Sequence, residues 1–312
     1  MAPVYEFGLI GCPLGHSLSP QLHRAALKAV GMNGEYRLYS IPPDHNDSDH
    51  SLKYLIRRIL TGEITGLNIT IPYKQKVIGY LDRLTPIADQ VEAVNTIYLE
   101  NGQLVGDNTD VPGFLKDVKA KVAWKNGDSE AMVDRLPDTA LVLGAGGSAR
   151  AIVYALATQG KRIYLVSRRI EQADMIVESL KKKAPGIFIS KPVTEAMSLS
   201  EMYRLIEGFH NQEILLVNTT PVGMWPDINH SPWPETVDFP AHALVYDLIY
   251  NPCETMLMRQ AINSGLRAWN GMGMLVEQAA LAFARWTGIQ SSGTVMWESL
   301  QYMDQIPYPT DE

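Results

Sequence analysis

The sequence predicts an α/β protein of two domains, the first organised around a mainly parallel sheet. Three observations predict it. The 312 residues exceed the roughly 250–300 at which single hydrophobic cores stop growing. Short apolar strand-like runs alternate with helix-period runs, the pattern of sheets covered by helices. A glycine-rich turn near mid-chain lies between such a strand and such a helix.

Residues 5–11 read as a buried strand. Ser19 then reads as the N-cap of a helix, with Pro20 at the first helical position, where a missing N–H is harmless. Strands are expected over 36–40 and 67–70, with a helix over 51–60 between them. Residues 74–80 and 85–91 read as helical. Strands over 94–99 and 103–106 flank Asn101-Gly102, a hairpin signal. The first sheet is therefore expected to carry an antiparallel edge. Between 118 and 138 the periodicity weakens and Lys, Asp, Gly and Pro accumulate, which marks the link between domains. The second domain follows with a strand over 140–143, a helix over 148–159, a strand over 162–166 and a helix over 171–183. After weaker elements come strands over 214–218 and 244–248 and a last strong helix over 275–286. Lys181-Lys182-Lys183 ends a helix, where cations suit the macrodipole, and reads as a solvated face.

Composition narrows the partners. Twenty-seven basic against 34 acidic residues leave a formal net charge of −7, so no global positive field attracts nucleic acid. An anionic small ligand needs donors supplied locally. Cys12 and Cys253 are too few for a disulfide framework and are expected to be small buried hydrophobes. The seven His are scattered, and no Cys or His cluster suggests a metal. No run approaches the roughly 20 apolar residues of a membrane span. The first residues do not read as a signal peptide, and the cytoplasm is the expected location.

Gly144-Ala145-Gly146-Gly147-Ser148-Ala149 follows a strand and opens a helix. Its glycines permit a tight turn and let backbone N–H groups approach a pyrophosphate at the helix N-terminus. This is a Rossmann-type dinucleotide signature. The end of the next strand then selects the cofactor. An NAD site places an acid there for the ribose hydroxyl, whereas this chain reads Val166-Ser167-Arg168-Arg169, with no acid until Glu171. Two guanidinium groups and a hydroxyl suit a 2′-phosphate, so NADP is expected, with NAD as the second choice.

Four polar clusters stand where strands of the first domain end. Ser17-Leu18-Ser19-Pro20 sets two hydroxyls at a helix N-terminus, which suits a carboxylate. Asn68-Ile69-Thr70-Ile71-Pro72-Tyr73-Lys74 delivers a lysine after alternating polar and apolar residues. Val94-Asn95-Thr96 and Gly106-Asp107-Asn108-Thr109-Asp110 add amides, hydroxyls and carboxylates. Taken singly, Ser19 and Asp110 are also good caps and Lys74 an ordinary surface lysine. Together they suit a polyhydroxylated acid, which needs donors for its carboxylate and paired groups for its hydroxyls.

These segments, in this order, resemble the shikimate/quinate dehydrogenase family over residues 5–289. The resemblance continues through the loop at Gly144 and through Asn218-Thr219-Thr220-Pro221-Val222-Gly223-Met224. It extends to Tyr246-Asp247-Leu248-Ile249-Tyr250-Asn251-Pro252 and to the run from Gly271 through Glu277 and Gln278 to Ala280. It implies an NADP-dependent oxidoreductase that interconverts 3-dehydroshikimate and shikimate in aromatic amino-acid biosynthesis. Lys74 and Asp110 would be the catalytic pair. Ser17, Ser19, Thr70, Asn95, Tyr250 and Gln278 would contact substrate, with Ser17 and Ser19 at its carboxylate. Gly144, Ala145, Gly146, Gly147, Ser148, Ser167, Arg168, Arg169, Leu248 and Gly271 would contact the cofactor. The implied division assigns 1–118 and 275–312 to a substrate-binding domain and 119–274 to an NADP-binding Rossmann domain, with a cleft between. The expected partner is a small-molecule substrate, with no nucleic acid or membrane, and the expected state is a monomer or homodimer.

Reduction of a ketone by hydride needs a proton for the developing alkoxide, which a lysine can supply. Ser167 stands where NADP-preferring relatives often carry Asn, and Leu248 where Met is common. The nearest alternative is quinate as substrate with NAD(P), in quinate catabolism. Ser19 leans towards shikimate, because quinate-preferring relatives often have Thr there. A non-catalytic metabolite sensor is the remoter alternative, and the retention of Lys74, Asp110 and the glycine loop speaks against it.

Overall fold

The computed structural model describes residues 4–43, 47–123, 136–188, 194–209, 212–290 and 293–300. In chain order the elements begin β1 (Tyr5–Gly11), α1 (Ser19–Ala29), β2 (Gly34–Ser40), α2 (Ser48–Leu60) and β3 (Gly66–Ile69). A 3-10 turn (Lys76–Tyr80) precedes β4 (Arg83–Leu84), α3 (Pro86–Val91), β5 (Thr96–Glu100), β6 (Gln103–Asp107) and α4 (Asp110–Ala123). Next come β7 (Thr139–Leu143), α5 (Gly147–Thr158), β8 (Arg162–Val166), α6 (Ile170–Lys183), α7 (Pro185–Phe188), β9 (Thr194–Met197) and α8 (Leu199–Ile206). The chain ends with β10 (Glu213–Asn218), β11 (His242–Asp247), α9 (Met256–Asn263), β12 (Arg267–Asn270), α10 (Met272–Thr287) and α11 (Gly293–Leu300). No helix among the described residues is long and apolar enough to cross a membrane.

Two compact units result. The first is Met1–Ala88 with Val94–Thr109 and Val276–Glu312; the second is Asp89–Ala93 with Asp110–Leu275. The first unit holds a six-stranded sheet of order β2-β1-β3-β5-β6-β4. Only β5 runs against the rest. The antiparallel strand expected at an edge lies inside the sheet, because β5 pairs with β3 on one side and with β6 on the other. Asn101 and Gly102 make the hairpin turn with φ of 53° and 78°, the conformation that residue pair favours. Alternation along β1 divides the core. Ile10 joins Leu52, Ile56 and Ile59 of α2 on one face, and Phe7 meets Phe283 and Trp286 of α10 on the other.

The second unit holds a wholly parallel sheet of order β12-β11-β10-β7-β8-β9. Numbered within the unit this is 6-5-4-1-2-3, the Rossmann order, whose direction reverses between β7 and β10.

Several sequence expectations are corrected. Leu18, not Ser19, is the N-cap of α1; Ser19 is already helical, and its N–H is taken by Ser17 Oγ at 3.3 Å. Residues 74–80 form only a 3-10 turn from Lys76, since the Lys74 carbonyl accepts from Val94 N at 2.7 Å instead of starting a helix. The expected boundary at 118 lies inside α4. That helix belongs wholly to the second unit, where Phe114 meets Tyr246 edge-on at 5.3 Å and Asp117 accepts from Tyr246 Oη at 2.6 Å. The rest of the expected link, residues 124–135, lies outside the described residues. Residues 89–93 join the second unit because Glu92 pairs with Arg150 at 3.0 Å and Asp89 with Lys183 at 2.7 Å. Cys253 is exposed and Cys12 half-buried, so neither is the buried hydrophobe expected.

Candidate active site

In the first unit, the ends of β3 and β5 gather the expected residues. Ile69 N donates to Asn95 O at 2.8 Å, and the Val94–Lys74 bond sets Lys74 beside Asn95. The Asn95 side chain is buried and held from two sides: its amide donates to Thr109 Oγ1 at 2.9 Å, and its Oδ1 accepts from Thr109 N at 2.8 Å. The same amide reaches Gln278 Oε1 of α10 at 3.5 Å. Asn68 donates to Asn95 O at 3.1 Å and Thr96 Oγ1 at 3.2 Å while accepting from Tyr36 Oη at 2.9 Å. Thr70 packs on Gly11, and Cys12 N donates to Ile71 O at 3.0 Å, so the loop carrying Ser17 and Ser19 leaves β1 beside Thr70. Lys74, Thr70, Asn95, Gln278, Ser17 and Ser19 thus lie in one unit.

Asp107 pins the end of β6. It accepts from Thr85 Oγ1 at 2.6 Å, Asn108 N at 2.8 Å and Arg285 Nε at 2.8 Å. Asp110 is buried at the start of α4, where its charge suits the helix N-terminus. Asp110 and Tyr250 belong to the second unit, not to that of Lys74.

The cofactor residues lie along the carboxyl edge of the second sheet. Gly144 has φ of 109°, and a Cβ there would sit 2.6 Å from Thr219 Oγ1, so only glycine fits. Gly146, Gly147 and Ser148 then turn into α5, presenting a helix N-terminus at the sheet's reversal point. Ser167 Oγ accepts from Arg169 N at 3.2 Å and shapes the turn after β8. Arg168 and Arg169 are exposed and form no ion pair with a described residue. Gly271 is buried with its N–H on Ile249 O at 3.1 Å, and a Cβ there would meet Leu248 O at 2.1 Å. Leu248 and Gly271 are thereby fixed together. The donor set and the open space over Gly146 fit a dinucleotide with a phosphorylated ribose. No group of three or more metal-ligating side chains occurs among the described residues.

Residues 9–97 match the family model "Shikimate dehydrogenase substrate binding domain" and residues 271–301 "Shikimate 5'-dehydrogenase C-terminal domain". The chain is 38% identical over 283 residues to a shikimate dehydrogenase (NADP(+)) of Caldanaerobacter subterraneus subsp. tengcongensis, covering 90% of this chain and 91% of that one. The chain belongs to the shikimate dehydrogenase family. Among solved members, the Thermus thermophilus enzyme in complex with NADP(H) and shikimate shares 32% identity, with a TM-score of 0.75 over 95% of this chain and 98% of that one. A quinate dehydrogenase from Corynebacterium glutamicum in complex with NAD shares 28% identity, with a TM-score of 0.78 over 95% and 98%.

Sequence reasoning gave no role to Asn218, Asp247 and Thr255, which form a buried network in this shikimate dehydrogenase family member. The available signal was a polar residue closing the apolar run of each of two strands, Ile-Leu-Leu-Val-Asn at 214–218 and Ala-Leu-Val-Tyr-Asp at 243–247.

Proposed function

We propose that the chain is a shikimate dehydrogenase that interconverts 3-dehydroshikimate and shikimate with NADP. The observation that carries this reading is the gathering of Lys74, Thr70, Asn95 and Gln278 at the ends of β3 and β5 in a member of that family. Exposed Arg168 and Arg169 at the end of β8, with no acid before Glu171, support NADP over NAD. The first unit supplies substrate binding and the second cofactor binding.

Held by the second unit, NADP would supply the hydride acceptor for oxidation and, reduced, the hydride donor for reduction. Lys74 and Asp110 carry the accompanying proton, which leaves the substrate hydroxyl in oxidation and returns to the alkoxide in reduction. Ser17 and Ser19 receive the carboxylate at the start of α1, whose dipole favours a negative charge. Thr70, Asn95, Gln278 and Tyr250 engage the ring hydroxyls. Asn95 enters this role already oriented, because Thr109 fixes both ends of its amide.

Shikimate or quinate, each with NADP or NAD, is mixed with the protein and reduced nicotinamide is followed by absorbance. Shikimate with NADP is expected to react fastest, and Lys74→Ala to lower kcat about 10²–10⁴-fold, the span of a lost general acid–base group. Quinate with NAD reacting fastest refutes the substrate and cofactor assignments. No turnover with any pair refutes the enzyme reading.

A further inference from the structure

Three parallel strands of the second unit end in side-by-side polar residues. The register sets Asn218 of β10 against Asp247 of β11, and Asp247 against Asn270 of β12. Asp247 is completely buried. Its Oδ1 accepts from Asn218 Nδ2 at 2.9 Å and from Ile249 N at 3.1 Å, and its Oδ2 accepts from Thr255 Oγ1 at 2.7 Å. Each donor governs a different segment. Asn218 Oδ1 takes Thr220 N at 2.9 Å and Thr220 Oγ1 at 2.7 Å, holding the turn after β10. Thr255 Oγ1 takes Met258 N at 3.3 Å and so caps α9. Ile249 lies between Leu248 and Tyr250, and its carbonyl receives Gly271 N. Asn270 completes the edge, donating to Cys253 O at 2.8 Å and accepting from Met272 N at 3.1 Å.

A carboxylate suits this place for a geometric reason. Three donors converge on it, and an amide offers only one acceptor oxygen. Stability alone does not explain a charge here, since apolar replacements of buried ionic groups are often neutral or stabilising. Burial in fact pushes the Asp247 carboxyl up to about 6, with Thr255, Ile249 and Asn218 holding it down. Ligands of open α/β sheets sit at the carboxyl ends of the strands, beside the reversal point. The segment 248–250 lies along that edge.

We propose that Asp247 is a positioning residue for hydride transfer, fixing the backbone of residues 248–250 where that segment borders the nicotinamide end of the cofactor. The proposal rests on the function assigned above. It separates the two ends of the cofactor site: the adenosine-phosphate end, at Arg168 and Arg169, shares no hydrogen bond with Asp247 or with Asn218 and Thr255.

Wild type, Asp247→Ala and Asp247→Asn are compared in three measurements on the full chain. These are kcat and KM with shikimate and NADP, calorimetric binding of adenosine 2′,5′-bisphosphate, and amide hydrogen exchange. Asp247→Ala is expected to lower kcat roughly 30–100-fold, the scale of an ångström-level misplacement. Binding of the bisphosphate stays within about twofold by the same separation. Exchange quickens at least about tenfold in 248–255 and not in 145–155. Asp247→Asn, which keeps one acceptor oxygen, recovers most of kcat. The proposal is overturned if kcat in Asp247→Ala stays within about twofold, or if bisphosphate binding falls in step with kcat. Unchanged exchange in 248–255 overturns it equally, and that readout stands even if wild type fails to oxidise shikimate, which refutes the assigned function instead. If Asp247→Ala does not fold, Thr255→Val, which removes the Oδ2 partner together with the cap of α9, is read by the same criteria, with exchange judged over 248–250.

Discussion

Of the ionisable side chains that the two units bury, His23 in the first and Asp247 in the second are treated in opposite ways. In the first, His23 lies between rings, 4.4 Å from Tyr36 with planes 2° apart, and 5.0 Å from Trp286. Neither ring nitrogen has a hydrogen-bond partner among the described residues. Burial pushes its pKa from 6.5 down to about 3; the neighbouring Asn68 amide opposes this only in part, since it reaches neither nitrogen in hydrogen-bonding geometry. In the second unit, Asp247 is as deeply buried but receives three donors, and its pKa rises from 3.8 only to about 6. A buried titratable group without partners serves as a neutral packing surface. One with partners from three segments organises the chain around it.

The comparison is tested first by acid. His23 has a folded pKa below its unfolded one, so folding is undisturbed above about pH 6.5 and weakens as pH falls towards 3. At about 1.4 kcal/mol per pH unit the full loss is about 5 kcal/mol. Urea unfolding of the first unit between pH 7 and 4 should show this slope, and His23→Leu should flatten it. An unchanged slope in the variant would remove His23 from the account.

Asp247 gives the opposite sign. Its folded pKa lies above its unfolded one, so its contribution is best below about pH 3.8 and is lost as pH rises through about 6, by about 3 kcal/mol. Asp247→Asn is therefore expected to gain stability relative to wild type as pH rises from 4 to 7. Asp247→Ala strands three donors at once and should cost about 3 kcal/mol at pH 7, even after relief of the buried charge. If both substitutions proved equally damaging, the charge rather than the hydrogen bonds would be what matters.

A smaller effect is expected one residue earlier. Tyr246 Oη donates to Asp117 at 2.6 Å and accepts from Met274 N, and burial beside Asp117 raises its pKa well above 10. Tyr246→Phe leaves the Asp117 carboxylate without that donor, a loss of about 1–3 kcal/mol. The least is expected of Arg285→Ala. Arg285 pairs with Asp107, but its own side chain is half in solvent and Asp107 keeps two other donors. Thermal unfolding should register a loss of about 1 kcal/mol or less; a larger drop would place the main anchor of β6 on α10 and not in Thr85 and Asn108.

Elements with strong local periodicity were readable in advance. β1 and β8 have the bounds expected from their apolar runs, and the Asn101-Gly102 hairpin forms where that pair stands. The short β4, β9 and β12 were not readable, because two to four residues carry no period and are strands only by pairing with neighbours. The run 74–80 has a helical look that fails because the Lys74 carbonyl is taken by Val94, twenty residues away in sequence. In the site, the glycine loop and the polar clusters declared themselves by residue type. The orientation of Asn95 did not, since it depends on Thr109 and Gln278, the latter 183 positions distant.

By itself the sequence determined the alternation of strands and helices, the dinucleotide turn, and which side chains could carry the chemistry. These follow from side-chain size, periodicity and the backbone freedom of a few glycines, all local properties. Only the tertiary structure decided that α4 belongs with the second unit, that β5 runs inside its sheet, and that Asp247 is shared by three segments. Those outcomes depend on which distant donor reaches which acceptor once water is excluded, and no local pattern in the chain encodes that pairing.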